Sequence, residues 1–244
     1  MTQRAFDLIA FDGDDTLWHN ERSYQTGRRR FHQLLVAAGV DLSEPQIDEH
    51  VNRIELQNIG YYGYGVSSFV LSLIEAAIGL TGGRVAGRDL QVLIDLAKQM
   101  RTEDVELLDG AREAVTTLAA SYSLMLITKG DLLHQTSKVD RSGLRDSFRF
   151  IEVVSTKTAA VYASILARQG IEPDRFLMVG NSLRSDILPI IELGGWAAHV
   201  PAALSWSHED AELPDLARAR YLELGSLTGL AELVRSLENG DRPE

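Results

Sequence analysis

The spacing of apolar and polar positions divides the chain into two kinds of segment. Leu8-Ile9-Ala10-Phe11 is an unbroken apolar run, short enough for a strand buried on both faces. From about Trp18 to Glu103 the apolar positions follow helical spacing and no convincing strand appears. Arg22–Ala38 carries Phe31, Leu34, Leu35 and Ala38, and Gly39 stops it. Ser43 and Pro45 open a second helix, with Ile47, Val51, Ile54 and Asn58 on one face. Ser67–Ile78 ends at Gly79, and Arg88–Met100 shows Leu90, Leu93, Ile94 and Ala97 as its core stripe. From Leu107 the pattern alternates. Strands are expected at Tyr122–Ile127, Phe150–Val154, Phe176–Val179, Trp196–Val200 and, weakly, Tyr221–Glu223. Helices are expected at Ala111–Ala120, Leu132–Ser142, Thr158–Gln169, Leu183–Leu193 and Leu227–Leu237. Such alternation predicts an α/β fold with a parallel sheet covered on both faces. A helical block is inserted after the first strand, giving a core of residues 1–17 and 105–244 and a helical domain of residues 18–104. The polar tail from Asn239 to Glu244 is expected to fray.

Composition narrows the function classes. The 244 residues are 45% hydrophobic and carry a net charge of −11, which argues against nucleic acid as the main partner. A small phosphorylated substrate remains compatible, because local fields decide at that range. The absence of cysteine excludes disulfides, thiolate metal sites and cysteine catalysis. No apolar run has membrane-spanning length and no signal-peptide pattern opens the chain. The expected protein is cytoplasmic, not bound to a membrane, and a monomer or homodimer.

Chemistry accumulates where the strands end. Asp12-Gly13-Asp14-Asp15-Thr16 follows the first strand at once. In open α/β sheets that end of the strand is where ligands bind. Crowded carboxylates there repel one another, and hard oxygen ligands suit Mg²⁺. Asp12-x-Asp14-x-Thr16 after a hydrophobic strand resembles the first motif of the haloacid dehalogenase-like (HAD) superfamily of hydrolases. Three further strand ends extend the resemblance over about residues 6–200. Leu124–Ile127 ends in Thr128, similar to the second motif, although a helix-capping threonine would look the same. Lys157 follows the strand Phe150–Val154, similar to the third motif, with Thr158 where proline often stands. Lys138, the competing lysine, sits mid-helix, where a solvated face is the plainer reading. Val179-Gly180-Asn181-x-x-x-x-Asp186 resembles the fourth motif, with Asn181 in place of its first acid.

The resemblance implies a Rossmann-like three-layer α/β/α parallel-sheet core with an inserted all-helical cap. It implies a phosphatase in which Asp12 is the nucleophile and forms an aspartyl-phosphate. Asp14 would be the general acid and base, its pKa raised by neighbouring carboxylates. Thr128, Lys129 and Gly130 would meet the phosphoryl group, and Lys157 would hold it with the nucleophile. Asp12, Asp186, the Asp14 carbonyl and Asn181, the last directly or through water, would hold Mg²⁺. Asp15 is expected to face away from the metal and to accept hydrogen bonds elsewhere. Glu21 binds either a substrate group or a backbone donor, and Tyr61 in the run Tyr61-Tyr62-Gly63-Tyr64 lines either a pocket or the cap core. His199, Trp206 and His208 are read as surface histidines and a buried tryptophan. The alternatives are a haloacid dehalogenase or phosphonatase-type hydrolase, and a binding protein for phosphorylated ligands that has lost catalysis. Dehalogenases of the superfamily generally lack the second acid, so Asp14 speaks against the first. Lys98, the one lysine of the helical block, sits on a charged exit helix and makes no clear Schiff-base residue for the second. A signalling receiver domain is about half this length and lacks a helical insertion.

Overall fold

The computed structural model describes residues 4–204, 206, 209, 211–214 and 219–239. His208 and the tail beyond Asn239 lie outside the described residues. The chain divides into two compact units, one of Met1–Glu21, Val105–Lys129 and Gln135–Glu244, the other of Arg22–Asp104 with Gly130–His134.

The first unit is built on a parallel sheet of β1 (Leu8–Phe11), β2 (Ser123–Lys129), β3 (Phe150–Val154), β4 (Phe176–Gly180), β5 (Trp196–His199) and β6 (Tyr221–Glu223). Their order is β3-β2-β1-β4-β5-β6. The expected parallel α/β architecture is therefore present. β1 shows why its sequence is apolar throughout. Ile9 and Phe11 enter one buried cluster, and Leu8 and Ala10 enter another. A parallel strand covered on both faces has no solvent side. The register pairs Phe11 with Leu126 and with Val179, so β1 and β4 end side by side and β2 runs on beside them to Lys129. The chain winds outward from β1 to β3, then returns to β4 and winds the other way. That reversal beside β1 is the switch point at which such sheets open a crevice.

Helices α5 (Ala111–Ala119), α6 (Leu132–Ser142), α7 (Ala159–Gln169), α8 (Leu188–Glu192) and α9 (Leu230–Glu238) follow the strands. Thr158 caps α7 through Val161 N–H at 3.4 Å, a local use for the threonine that stands where the resembling motif often has proline. The helix expected over Leu183–Leu193 is split. Leu183–Ile187 forms a π-type turn and α8 begins only at Leu188. Pro189 has no N–H to give, so it sits at the start of α8, where none is required. A short 3₁₀ turn, Leu227–Gly229, likewise precedes α9.

The second unit packs α1 (Glu21–Ala37), α2 (Glu44–Tyr62), α3 (Val66–Leu80) and α4 (Gly87–Thr102) around Phe31, Leu35, Val51, Phe69 and Leu73. Gly39 ends α1 in the left-handed conformation, φ 79°. Gln46 accepts the Ser43 N–H at 3.0 Å at the start of α2. The core stripe of α4 is Leu93, Leu96 and Met100, while Ile94 is 42% exposed. Ile94 lies one residue, about 100°, off that stripe, so the four-residue pattern read from the sequence was rotated. Asn58 is buried and donates to Ser72 at 3.1 Å and to Glu75 at 3.0 Å, cross-bracing α2 and α3. Asp131 joins this unit through Arg101 at 2.5 Å.

Candidate active site

Asp12 leaves β1 with its N–H on Val179 O at 2.9 Å, so its position is set by β4. The loop then turns tightly, and Leu17 N–H returns to Gly13 O at 2.8 Å. Gly13 has no side chain because Trp18 packs on it; a Cβ there would lie 2.5 Å from the indole. Asp15 takes a left-handed backbone, φ 59°. Its carboxylate accepts Asn20 N–H at 2.9 Å and Glu21 N–H at 3.0 Å, capping α1. Burial, with a smaller push from Asp14, raises the Asp15 carboxyl to about 6.

Three strand ends converge on Asp12. Lys157 Nζ lies 2.5 Å from Asp12 Oδ1 and 2.6 Å from Asp186 Oδ1, and all three side chains are buried. Thr16 Oγ1 donates toward Asp12 Oδ2 at 3.1 Å and lies 3.2 Å from Asn181 Oδ1. Asp186 also accepts Ser182 N–H at 3.1 Å. Gly180 leaves room for that carboxylate, since a Cβ would fall inside it. His199 lies 3.0 Å from Asn181 O and 3.0 Å from the Tyr221 hydroxyl. It braces the loop after β4 rather than standing on the surface, and Trp206 is half-buried. Near the end of β2 the Thr128 hydroxyl is buried with no hydrogen-bond partner, an orphan donor.

Asp12 and Asp14 titrate in opposite senses. Burial pushes Asp12 up; Lys157 pulls it back, Asp186 and Asp14 add to the push, and the balance is about 7. Burial also works against the charged form of Asp14. There the Lys138 ammonium and hydrogen bonds from Lys138, Gln135 and Trp18 outweigh it, holding the carboxyl below its ordinary value. The expected rise at Asp14 is thus corrected, because a lysine read as solvated sits on it. Lys138 is buried, with Nζ 2.6 and 2.8 Å from the two Asp14 oxygens. Burial alone would favour a neutral Lys157, but Asp12 and Asp186 outweigh it and keep the ammonium well above its usual range.

Lys129 is committed to Glu209 at 2.5 Å and Ser185 at 3.1 Å. Tyr61 is 84% exposed near the end of α2, with its ring against Tyr62. Glu21 is half-buried at the start of α1, and Gly130 takes φ 143°. Glu209 was not legible in advance. It accepts from Ser182 at 2.7 Å and Ser185 at 2.5 Å as well as from Lys129. Burial opposes its charge, yet Lys129 and the two hydroxyls draw its carboxyl down to about 2. A depressed acid stabilises the fold above its unfolded pKa, near 4.5, and loses that contribution as pH falls toward 2. Glu209→Gln is expected to cost roughly 2 kcal/mol at pH 7 in urea unfolding. The gap from the wild type closes progressively below pH ~4.5. A gap that stays constant down to pH ~3 would show that Glu209 is not ionically held.

Comparison with known proteins places this geometry. Residues 6–194 match the haloacid dehalogenase-like hydrolase family, and the chain belongs to that family. It is 23% identical over 241 residues to the glyceraldehyde 3-phosphate phosphatase of Methanocaldococcus jannaschii, covering 94% of this chain and 97% of that one. It is 23% identical over 239 residues to human N-acylneuraminate-9-phosphatase, covering 94% of each. The crystal structure of a haloacid dehalogenase-like family hydrolase from Xanthomonas campestris superposes with a TM-score of 0.86 at 38% identity, covering 97% of this chain and 94% of that one.

Proposed function

We propose that this hydrolase is a Mg²⁺-dependent phosphatase that cleaves a small phosphorylated metabolite through an aspartyl-phosphate on Asp12. The observation that carries the reading is a second acid, Asp14, on the loop that presents Asp12, half-buried and held by its own lysine, Lys138. A leaving alkoxide needs a proton and a leaving halide does not, so a dehalogenase has no use for that group. The curated phosphatase relatives point the same way.

The donor set fits Mg²⁺. Asp12, Asp14 and Asp186 set three carboxyl groups against the two ammonium groups of Lys138 and Lys157, an excess of acid at the site. The Asp14 side chain is occupied by Lys138, so its share would come from the backbone carbonyl. The carboxylates of Asp12 and Asp186 and the Asn181 amide oxygen complete a set of hard oxygens, few enough to leave room for water, as Mg²⁺ prefers. The ion supplies charge neutralisation for the phosphoryl oxygens and for the nucleophile.

Asp12 attacks phosphorus and the bond to the ester oxygen breaks. Lys157 and the unpaired Thr128 hydroxyl neutralise the phosphoryl oxygens. Asp14 gives the leaving oxygen its proton. Lys138 favours the charged form of Asp14, and the arriving phosphoryl charge is what raises its proton affinity. Asp14 then takes a proton from water, which attacks phosphorus, frees inorganic phosphate and restores Asp12.

The test supplies Mg²⁺ and measures phosphate released from p-nitrophenyl phosphate, glyceraldehyde 3-phosphate and N-acylneuraminate 9-phosphate, alongside chloride released from 2-chloropropionate. Phosphate release that EDTA lowers by about 100-fold or more, with no chloride, is expected. Chloride release without phosphate release sinks the reading in favour of dehalogenation.

A further inference from the structure

Resting on the phosphatase reading, we propose that Lys138 is a positioning residue for proton transfer: with Trp18 and Gln135 it fixes the Asp14 carboxylate where the leaving oxygen needs it. Three side chains give that carboxylate four hydrogen bonds. Oδ1 accepts from Trp18 Nε1 at 2.6 Å and Lys138 Nζ at 2.6 Å. Oδ2 accepts from Gln135 Nε2 at 2.9 Å and Lys138 Nζ at 2.8 Å. Each oxygen has two lone pairs and both are taken, so the carboxylate can neither rotate nor shift without breaking a bond, and one of the four bonds is released when Asp14 carries the proton. The donors come from two directions. Trp18 belongs to the same loop, while Gln135 and Lys138 lie on one face of α6, three residues apart. Gln135 Nε2 is also 2.9 Å from Lys129 O, which ties α6 to the end of β2.

Lys138 does this without touching the reacting phosphoryl group. An ammonium has three N–H donors. Asp14 Oδ1, Asp14 Oδ2 and Asn20 Oδ1, the last at 2.9 Å, use all of them. Lys157 has the complementary assignment, on Asp12 and Asp186. One lysine therefore serves the nucleophile, and the other serves the proton carrier.

This division predicts a kinetic signature. kcat/KM reports only steps up to departure of the leaving group, where a nitrophenolate needs little help and an alkoxide needs a proton. Lys138→Met is expected to lower kcat/KM by about 30–100-fold on β-glycerol phosphate and by less than about 3-fold on p-nitrophenyl phosphate. Inhibition by inorganic phosphate should stay within about 2-fold of the wild type. Lys138→Arg, which keeps charge and donors, should recover part of the loss. Trp18→Phe removes one donor and keeps an aromatic ring in that core position, at the cost of some buried volume, and should show the same dependence on leaving group at about 3–10-fold. It serves as the decisive variant if Lys138→Met does not fold. Equal losses on both substrates, or weakened phosphate inhibition, overturn the proposal. Asp14→Asn separates the two levels. If it reproduces the leaving-group pattern and the Lys138 and Trp18 variants do not, the positioning role fails while the phosphatase reading stands. If Asp14→Asn leaves both substrates untouched, that reading fails and the inference fails with it.

Discussion

Asp12→Asn is expected to lower phosphate release by on the order of 10⁴-fold or more while leaving the fold nearly as stable as before. The activity loss follows from chemistry, because an amide oxygen does not form the acyl phosphate. The stability forecast follows from the geometry. Asp12 is buried and its carboxyl already sits near 7, so the protein tolerates a neutral group there. Asparagine can turn its one oxygen to Lys157 and its amide N–H to the Thr16 hydroxyl, which then accepts, and Lys157 keeps its second partner, Asp186, at 2.6 Å. The expected change in unfolding free energy is within about 1 kcal/mol. Phosphate release and urea unfolding, measured on the same preparation, separate the two effects. A folded Asp12→Asn protein that retains more than a few per cent of turnover would remove Asp12 from the nucleophile's place. Lost activity with a fold weakened by several kcal/mol would instead make Asp12 chiefly a structural anchor for Lys157.

The parts of this site that were legible in the sequence are those written into strand ends. An apolar run followed at once by Asp12 and Asp14, Thr128 closing β2, Lys157 after β3 and Asp186 after β4 each break a hydrophobic pattern at a definite place. The parallel sheet then brings those breaks together. Lys138 was not legible in the same way, because α6 reverses the usual rule. Leu132 and Leu133 are 68% and 75% exposed, whereas His134, Gln135, Lys138 and Ser142 are buried. A polar stripe of helical spacing with a lysine on it reads as the solvent face unless something across the interior needs those donors. Asp14 needs them, and it is also held by Trp18 four residues on, whose indole packs over Gly13, an arrangement within one loop that no apolar period announces. Glu209 was hidden for a different reason. The stretch after Val200 carries no period, so nothing in it marks one glutamate as the partner of Lys129. The split at Pro189 was legible in principle, since proline inside a helical pattern marks a break at the preceding turn.

Lys157→Met is expected to have the largest effect on stability. The lysine is the buried cation between Asp12 and Asp186. Methionine fills much of the same volume and returns none of the charge. Two carboxylates would then face each other in the interior, and breaking a buried ion pair from one side costs about 3–5 kcal/mol. Turnover should fall by about 10³-fold or more, since the nucleophile and the phosphoryl oxygens lose their shared cation. The pH dependence has a definite sign. Without Lys157 the buried carboxyls bind protons more tightly than in the unfolded chain, where the Asp value is 3.8. The folded variant therefore gains stability as pH falls from about 7 toward about 4, and the deficit against the wild type narrows. A divalent cation should act in the same direction at neutral pH, raising the melting temperature of Lys157→Met more than that of the wild type. Urea unfolding at several pH values, with and without Mg²⁺, reads both. A deficit below about 1 kcal/mol at pH 7, or one that widens as the solution is acidified, would show that the two aspartates are not held together by this ammonium.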